Sequence, residues 1–136
     1  MLKVIVVDAQ GGGLGSAIVK RVCERFSDRI HILALGTNVV ATSSMKKSGA
    51  ADCATGENAI CFNAKTADVI IGGVGIIAAS GMLGEITPAM AKAIAESSAK
   101  KILIPISRCN LVIAGTESIT AKELIESAVS KIEELL

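Results

Sequence analysis

The sequence predicts a single α/β domain in three layers, with a mostly parallel sheet of about five strands. Lys3–Asp8 is a continuous β-branched run, as expected of a strand buried on both faces. A glycine-rich turn, Gln10 to Gly15, follows it directly and opens an amphipathic segment. Strand-like and helix-like stretches then alternate to the end of the chain, which implies right-handed crossovers between parallel strands. Together these describe a Rossmann-like or flavodoxin-like fold over residues 1–136.

The first helix is predicted over Gly13 to Phe26, where Leu14, Ile18, Val22 and Phe26 fall four apart on one face. Ser27-Asp28 turns the chain into a second strand, Ile30–Leu35, which ends at Gly36-Thr37-Asn38. The next helix runs to about Ser48 and stops at Gly49, a usual C-terminal glycine. Ala50–Thr66 is less regular, with a short helix through Ala64. Asp68–Ile71 reads as the third strand. The connection from Gly72 to Glu85 is far longer than the about two to six residues of a simple strand-to-helix loop, which suggests a binding loop, a lid or a contact surface. Thr87-Pro88 opens the following helix, with threonine as N-cap and proline at the first helical position. Lys101–Ile106 is the fourth strand, and Leu111–Ala114 reads as a short fifth. Thr120-Ala121-Lys122-Glu123 is a capping box for the last helix, from which Leu124, Ala128, Ile132 and Leu135 face the core.

The chain of 136 residues is 51% apolar and 20% charged, with a formal net charge of +1. It has two Phe and neither Tyr nor Trp, and it carries no basic stripe, which argues against nucleic-acid binding. The glycine-broken apolar run Val69–Leu83 is too short to span a bilayer, and no signal-peptide pattern opens the sequence. A cytoplasmic protein is expected. Cys23, Cys53, Cys61 and Cys109 form no C-x-x-C pair, and with one histidine a zinc site has few ligands. No metal site is predicted, and the thiols read as buried or half-buried. His31, inside a strand, reads as packed or edge-exposed.

In a parallel sheet the loops after the carboxyl ends of the strands form the ligand crevice. The informative residues gather on that side. They are Asp8, Gln10, Gly11, Gly12, Gly13 and Gly15 after the first strand, and Thr37 and Asn38 after the second. Glu85 follows the third, Arg108 the fourth, and Glu57 with Asn58 could fold over the same edge. Gln10, the four glycines, Thr37, Asn38, Asn58 and Arg108 are the candidate ligand-binding residues; Asp8, Glu57 and Glu85 are the candidate acid–base or Mg²⁺-binding groups. Ala9, Gly13, Leu14 and Gly15 fit the spacing small residue-x-x-x-Gly-hydrophobic-Gly of short-chain dehydrogenases, yet the absence of tyrosine excludes their Tyr–Lys chemistry. A carboxylate at Asp8 would repel a pyrophosphate unless a metal ion or a proton intervened, and the second strand does not end in an acid that could hold an adenosine ribose. There is no P-loop G-K-[ST]. The plain alternative is that the glycines only permit close packing of helix on strand. Arg108 could clamp a phosphate, and Cys109 beside it could be a reactive thiolate.

Several stretches together resemble a family of short bacterial proteins classed as a domain of unknown function. They are Asp8-Ala9-Gln10-Gly11-Gly12-Gly13, Ala34-Leu35-Gly36-Thr37-Asn38, Ala54-Thr55-Gly56-Glu57-Asn58-Ala59-Ile60, Met82-Leu83-Gly84-Glu85-Ile86-Thr87-Pro88 and Lys101-Ile102-Leu103-Ile104-Pro105. The resemblance implies a stand-alone Rossmann-like domain and assigns no catalytic residue.

Two functions follow as expectations. One is a small ligand-binding domain that holds a nucleotide, a dinucleotide or another phosphorylated metabolite on the glycine turn. The other is a structural or regulatory subunit whose apolar loop, residues 74–83, mediates homo-oligomer formation or docks on a partner. A weaker third is an isomerase or lyase with Glu57 or Glu85 as base.

Overall fold

The computed structural model describes residues 1–106 and 110–136. Among these residues there are five strands: β1 (Leu2–Asp8), β2 (Ile30–Gly36), β3 (Asp52–Thr55), β4 (Val69–Gly73) and β5 (Lys100–Ile104). Five helices accompany them: α1 (Gly13–Phe26), α2 (Val39–Lys47), α3 (Glu57–Ala64), α4 (Pro88–Glu96) and α5 (Ala121–Glu133). All strand pairs are parallel, in the order β3-β2-β1-β4-β5. Of the two variants the sequence allows, this is the Rossmann order; a flavodoxin-like sheet would place β1 between β2 and β3.

Alternation along the central strands builds two cores. Val4 and Val6 of β1 and Val69 and Ile71 of β4 pack with Ile18, Val22 and Phe26 of α1 and Val129 and Ile132 of α5. Ile5, Val7 and Ile70 face the other way, onto Ile60 of α3 and Met90 and Ile94 of α4. β1 is therefore buried on both faces, which is why its sequence is an unbroken apolar run rather than an alternating one.

The chain departs from the sequence reading at the sheet edge. The fifth strand is not Leu111–Ala114, which has no strand structure and leaves Val112 exposed. It is β3, which pairs with β2 through Leu33↔Asp52 to Gly36↔Thr55. β3 has four residues and a mostly exposed edge position, so no apolar run marks it. Cys53 is exposed for the same reason. At the C-terminus Leu135 lies beyond α5 and is exposed, and Val129 takes the core position instead. Thr120 accepts from the Glu123 N–H at 3.2 Å and caps α5 as predicted.

The strand order fixes where a site can form. The chain moves outward from β1 through β2 to β3, then crosses back to lay β4 on the other side of β1. The loops leaving β1 and β4 diverge to opposite faces, and this switch point opens a crevice at the carboxyl edge.

Candidate functional site

The turn from β1 into α1 is held from below by Asp8. Its buried carboxylate accepts the Ala9 N–H at 2.8 Å through Oδ1 and the Gly15 N–H at 2.6 Å through Oδ2. Gly15 is in the first turn of a fourteen-residue helix, so Asp8 does the work of an N-cap side chain from the preceding strand. Gly12, the N-cap residue itself, has a left-handed backbone at φ 73° and donates to the Ala9 carbonyl at 3.1 Å. Two amide donors therefore stabilise the Asp8 carboxylate in its buried position.

The glycines of this turn divide into two pairs. A Cβ at Gly12 would lie 2.8 Å from the Ala41 backbone, and one at Gly15 would lie 2.6 Å from Met45 Sδ and 2.8 Å from Asp8 Cβ. These two are required for packing, Gly12 against α2 and Gly15 against α2 and the end of β1. A Cβ at Gly11 or Gly13 would meet nothing within 4 Å. Their amides, with that of Leu14, have no acceptor among the described residues. In the same first turn the Ser16 hydroxyl is buried with no hydrogen-bond partner among the described residues.

A cleft of about 270 Å³ lies against this turn. Residues 8–14 line one side, Gly73 at the end of β4 with Gly75 and Met82 of the following loop line another, and Ile106 completes the lining. It is the switch-point crevice that the strand order demands. Leu14, Met82 and Ile106 were not legible as lining residues, because an apolar side chain in a long connection carries no mark distinguishing cleft wall from core.

Glu85 ties three loops together beside the cleft. Its Oε1 accepts from the Gln10 N–H at 2.9 Å, the Thr37 hydroxyl at 2.7 Å and the Asn38 side-chain amide at 2.8 Å. The Thr37 hydroxyl, followed by the Gln10 N–H, holds its pKa below the usual carboxylate value. Asn38 also donates to the Gln10 carbonyl at 2.9 Å and caps α2 by accepting from the Ala41 N–H. Gln10, Thr37, Asn38 and Glu85 are thus brought together; Gln10 lines the cleft, whereas Thr37, Asn38 and Glu85 are held in contacts with one another and with Gln10 and are not among its lining residues. Glu57 and Asn58 stand exposed on the first turn of α3 and line no part of the cleft. Arg108 and Cys109 lie outside the described residues.

Elsewhere, His31 Nε2 meets Asp52 Oδ2 at 2.9 Å between β2 and β3, an edge-strand ion pair when the ring is protonated. Burial pushes the Cys23 and Cys61 thiols up, against nucleophilic use. Among the described residues no three His, Cys, Asp or Glu side chains group as metal ligands. No helix among them is long and apolar enough to cross a membrane.

The domain of unknown function DUF3842 matches residues 3–136. The chain belongs to that family. No curated protein sequence matches it significantly. Among solved structures, this DUF3842 domain is similar to a nucleoside-diphosphate-sugar epimerase from Pseudomonas aeruginosa, with a TM-score of 0.49 and 10% identity. That match covers 98% of this chain but 46% of the epimerase. A dodecameric FMN-dependent UbiX-like decarboxylase from Escherichia coli O157:H7 has a TM-score of 0.47 and 12% identity, covering 98% of this chain and 94% of the other. An arsenate reductase in a phosphate-binding state has a TM-score of 0.42 and 18% identity, covering 99% and 96%. None of the three is similar enough to bring a ligand or a reaction with it.

Proposed function

We propose that this domain binds a small phosphate-bearing ligand, a nucleotide or another phosphorylated metabolite, on the glycine turn between β1 and α1. One observation carries the reading. The amides of Gly11, Gly13 and Leu14 have no acceptor among the described residues, and they border a cleft in which Gly11 and Gly13 present no side chain. Unpaired N–H groups at the positive end of a helix favour an anion, and a missing Cβ lets its oxygens come close. Packing accounts for Gly12 and Gly15 but not for Gly11 and Gly13. Asp8 and Glu85 are both engaged as hydrogen-bond acceptors, so binding is the reading rather than acid–base catalysis.

The test is a thermal-shift screen of the metal-free protein with NAD(H), NADP(H), adenine and guanine nucleotides, flavins and sugar phosphates, each with and without Mg²⁺. A ligand present at a hundred times its dissociation constant should stabilise the fold by about 2.7 kcal/mol. Gly13→Asp supplies the control. The new side chain has open space, and a carboxylate in the first helical turn favours the dipole, so the variant folds while its charge repels phosphate. A hit that Gly13→Asp abolishes supports the reading; a hit it leaves intact overturns it.

The second reading, self-association or docking through residues 74–83, rests on Leu83, which is 97% exposed. Ile76 and Met82 of the same loop pack into the core instead. Sedimentation of wild type against Leu83→Ser tests it. An assembly that Leu83→Ser dissociates favours it, and a monomer at high concentration removes the homo-oligomer.

A further inference from the structure

We infer that Glu85 stands in for the acid that the end of β2 lacks, and that its Oε2 accepts from the 2′,3′-diol of a ribonucleotide held on the glycine turn. The inference rests on the phosphate-binding reading and narrows its ligand to ribonucleotides with a free 2′-hydroxyl.

In dinucleotide-binding α/β domains an acid at the end of the second strand takes the ribose hydroxyls. Here that strand ends in Gly36-Thr37-Asn38. Glu85 arrives from the loop after β4, and Thr37 and Asn38 hold its carboxylate at the end of β2. The two side chains in the place of the missing acid are the ones that grip its replacement. All three donors converge on Oε1, and Oε2 has no hydrogen-bond partner among the described residues. An acceptor so fixed is organised before any ligand arrives. Gln10 links it to the cleft: its N–H binds Glu85, and its residue lines the cleft wall beside Gly11.

The loop that delivers Glu85 is strained for the purpose. Ser80, Met82 and Leu83 have φ of 64°, 54° and 58°, and Gly84 follows at 88°. Side-chain-bearing residues avoid this region, and a run of them persists only where the surroundings determine it. Burial of Met82 and the bonds Ser80 N–H to Ile86 carbonyl, 2.7 Å, and Ile86 N–H to Gly81 carbonyl, 3.2 Å, hold the loop in place. The direction of charge follows. A vicinal diol donates to a carboxylate, whereas a 2′-phosphate is repelled by it.

The experiment is calorimetric titration of ADP, 2′-deoxy-ADP, NAD⁺ and NADP⁺ into wild type, Glu85→Gln and Gly13→Asp, each variant first shown to melt cooperatively. Wild type is expected to bind ADP about tenfold tighter than 2′-deoxy-ADP, and NAD⁺ about tenfold tighter than NADP⁺, the value of one charge-assisted hydrogen bond. Glu85→Gln should bring both ratios close to one, and Gly13→Asp should weaken all four ligands together. If ADP and 2′-deoxy-ADP bind wild type equally and both are lost in Gly13→Asp, the diol assignment is overturned and the phosphate reading stands. A preference that survives in Glu85→Gln also overturns it. If none of the four binds, the diol assignment is overturned while the phosphate reading is decided by the sugar phosphates and flavins of the thermal-shift screen; if they bind and Gly13→Asp changes nothing, the phosphate reading fails and the inference falls with it.

Discussion

In the turn after β1, packing explains why Gly12 and Gly15 are glycine and does not explain Gly11 and Gly13. The first pair is walled in by Ala41, Met45 and Asp8; the second opens on empty space beside three amides with no acceptor among the described residues. A glycine run in sequence is ambiguous because packing and ligand access both select against a Cβ. The structure assigns the packing requirement to Gly12 and Gly15, ligand access is our proposal for Gly11 and Gly13, and mutation can test the packing half without knowledge of the ligand.

The largest effect is expected at the packing pair. Gly12→Ala places a methyl 2.8 Å from the Ala41 backbone at a positive φ, so neither neighbour can move aside cheaply. Adding left-handed strain to overpacking gives about 3 kcal/mol of lost stability, measurable by urea denaturation. A loss below about 1 kcal/mol would mean that Gly12 is not packed as described. Next comes Asp8→Ala, which leaves the buried Ala9 and Gly15 amides without their acceptor. About 2 kcal/mol should be lost, because unsatisfied buried donors are costly. Asp8→Asn, which retains an acceptor oxygen, should lose less; equal losses would show that the charge rather than the bond geometry supports the turn.

These first two predictions also mark what sequence could reveal. The α1 boundaries, the β1 run and the α5 cap were legible because each is a local pattern: an apolar period, a β-branched run, a Thr-x-x-Glu spacing. β3 was illegible because an exposed four-residue edge strand is identified by its partner, β2, and not by its own composition. The site divides likewise. The glycine turn follows from strand-then-glycine order. The meeting of Glu85 with Thr37 and Gln10 spans 48 and 75 residues of chain, and only the crossover back to β4 creates it. Asp8 showed in sequence as a charge in an awkward place. Its use as a helix cap appears once the Gly15 amide is seen beneath it.

A smaller effect is expected at the loop clasp. Glu85→Gln keeps an acceptor for the Thr37, Gln10 and Asn38 donors and removes only the charge, so about 1 kcal/mol at most is lost at neutral pH, given its partial exposure. The sign of the pH dependence is fixed by the lowered folded-state pKa. The ionised carboxylate stabilises the fold fully above its unfolded pKa of about 4.3, and this contribution disappears as pH falls through the lower folded value. The stability gap between wild type and Glu85→Gln should therefore be constant above about pH 5.5 and close on further acidification. A gap unchanged at pH 3 would remove the carboxylate from the clasp.

The smallest stability effect, and the sharpest contrast with Gly12, is expected at Gly13. Its Cβ would meet nothing, its φ is not in the left-handed region, and it is the first residue of α1. Gly13→Ala should leave the fold unchanged or raise its stability by about 0.5 kcal/mol, through a less flexible unfolded chain. One position away, the same chemical change is expected to cost about 3 kcal/mol at Gly12. If Gly13→Ala also weakens the ligand found in the thermal-shift screen, the residue is a glycine for the ligand and not for the fold. If it destabilises the protein by more than about 1 kcal/mol, the two pairs share one packing role, and the absence of a Cβ at Gly13 no longer argues for a binding site.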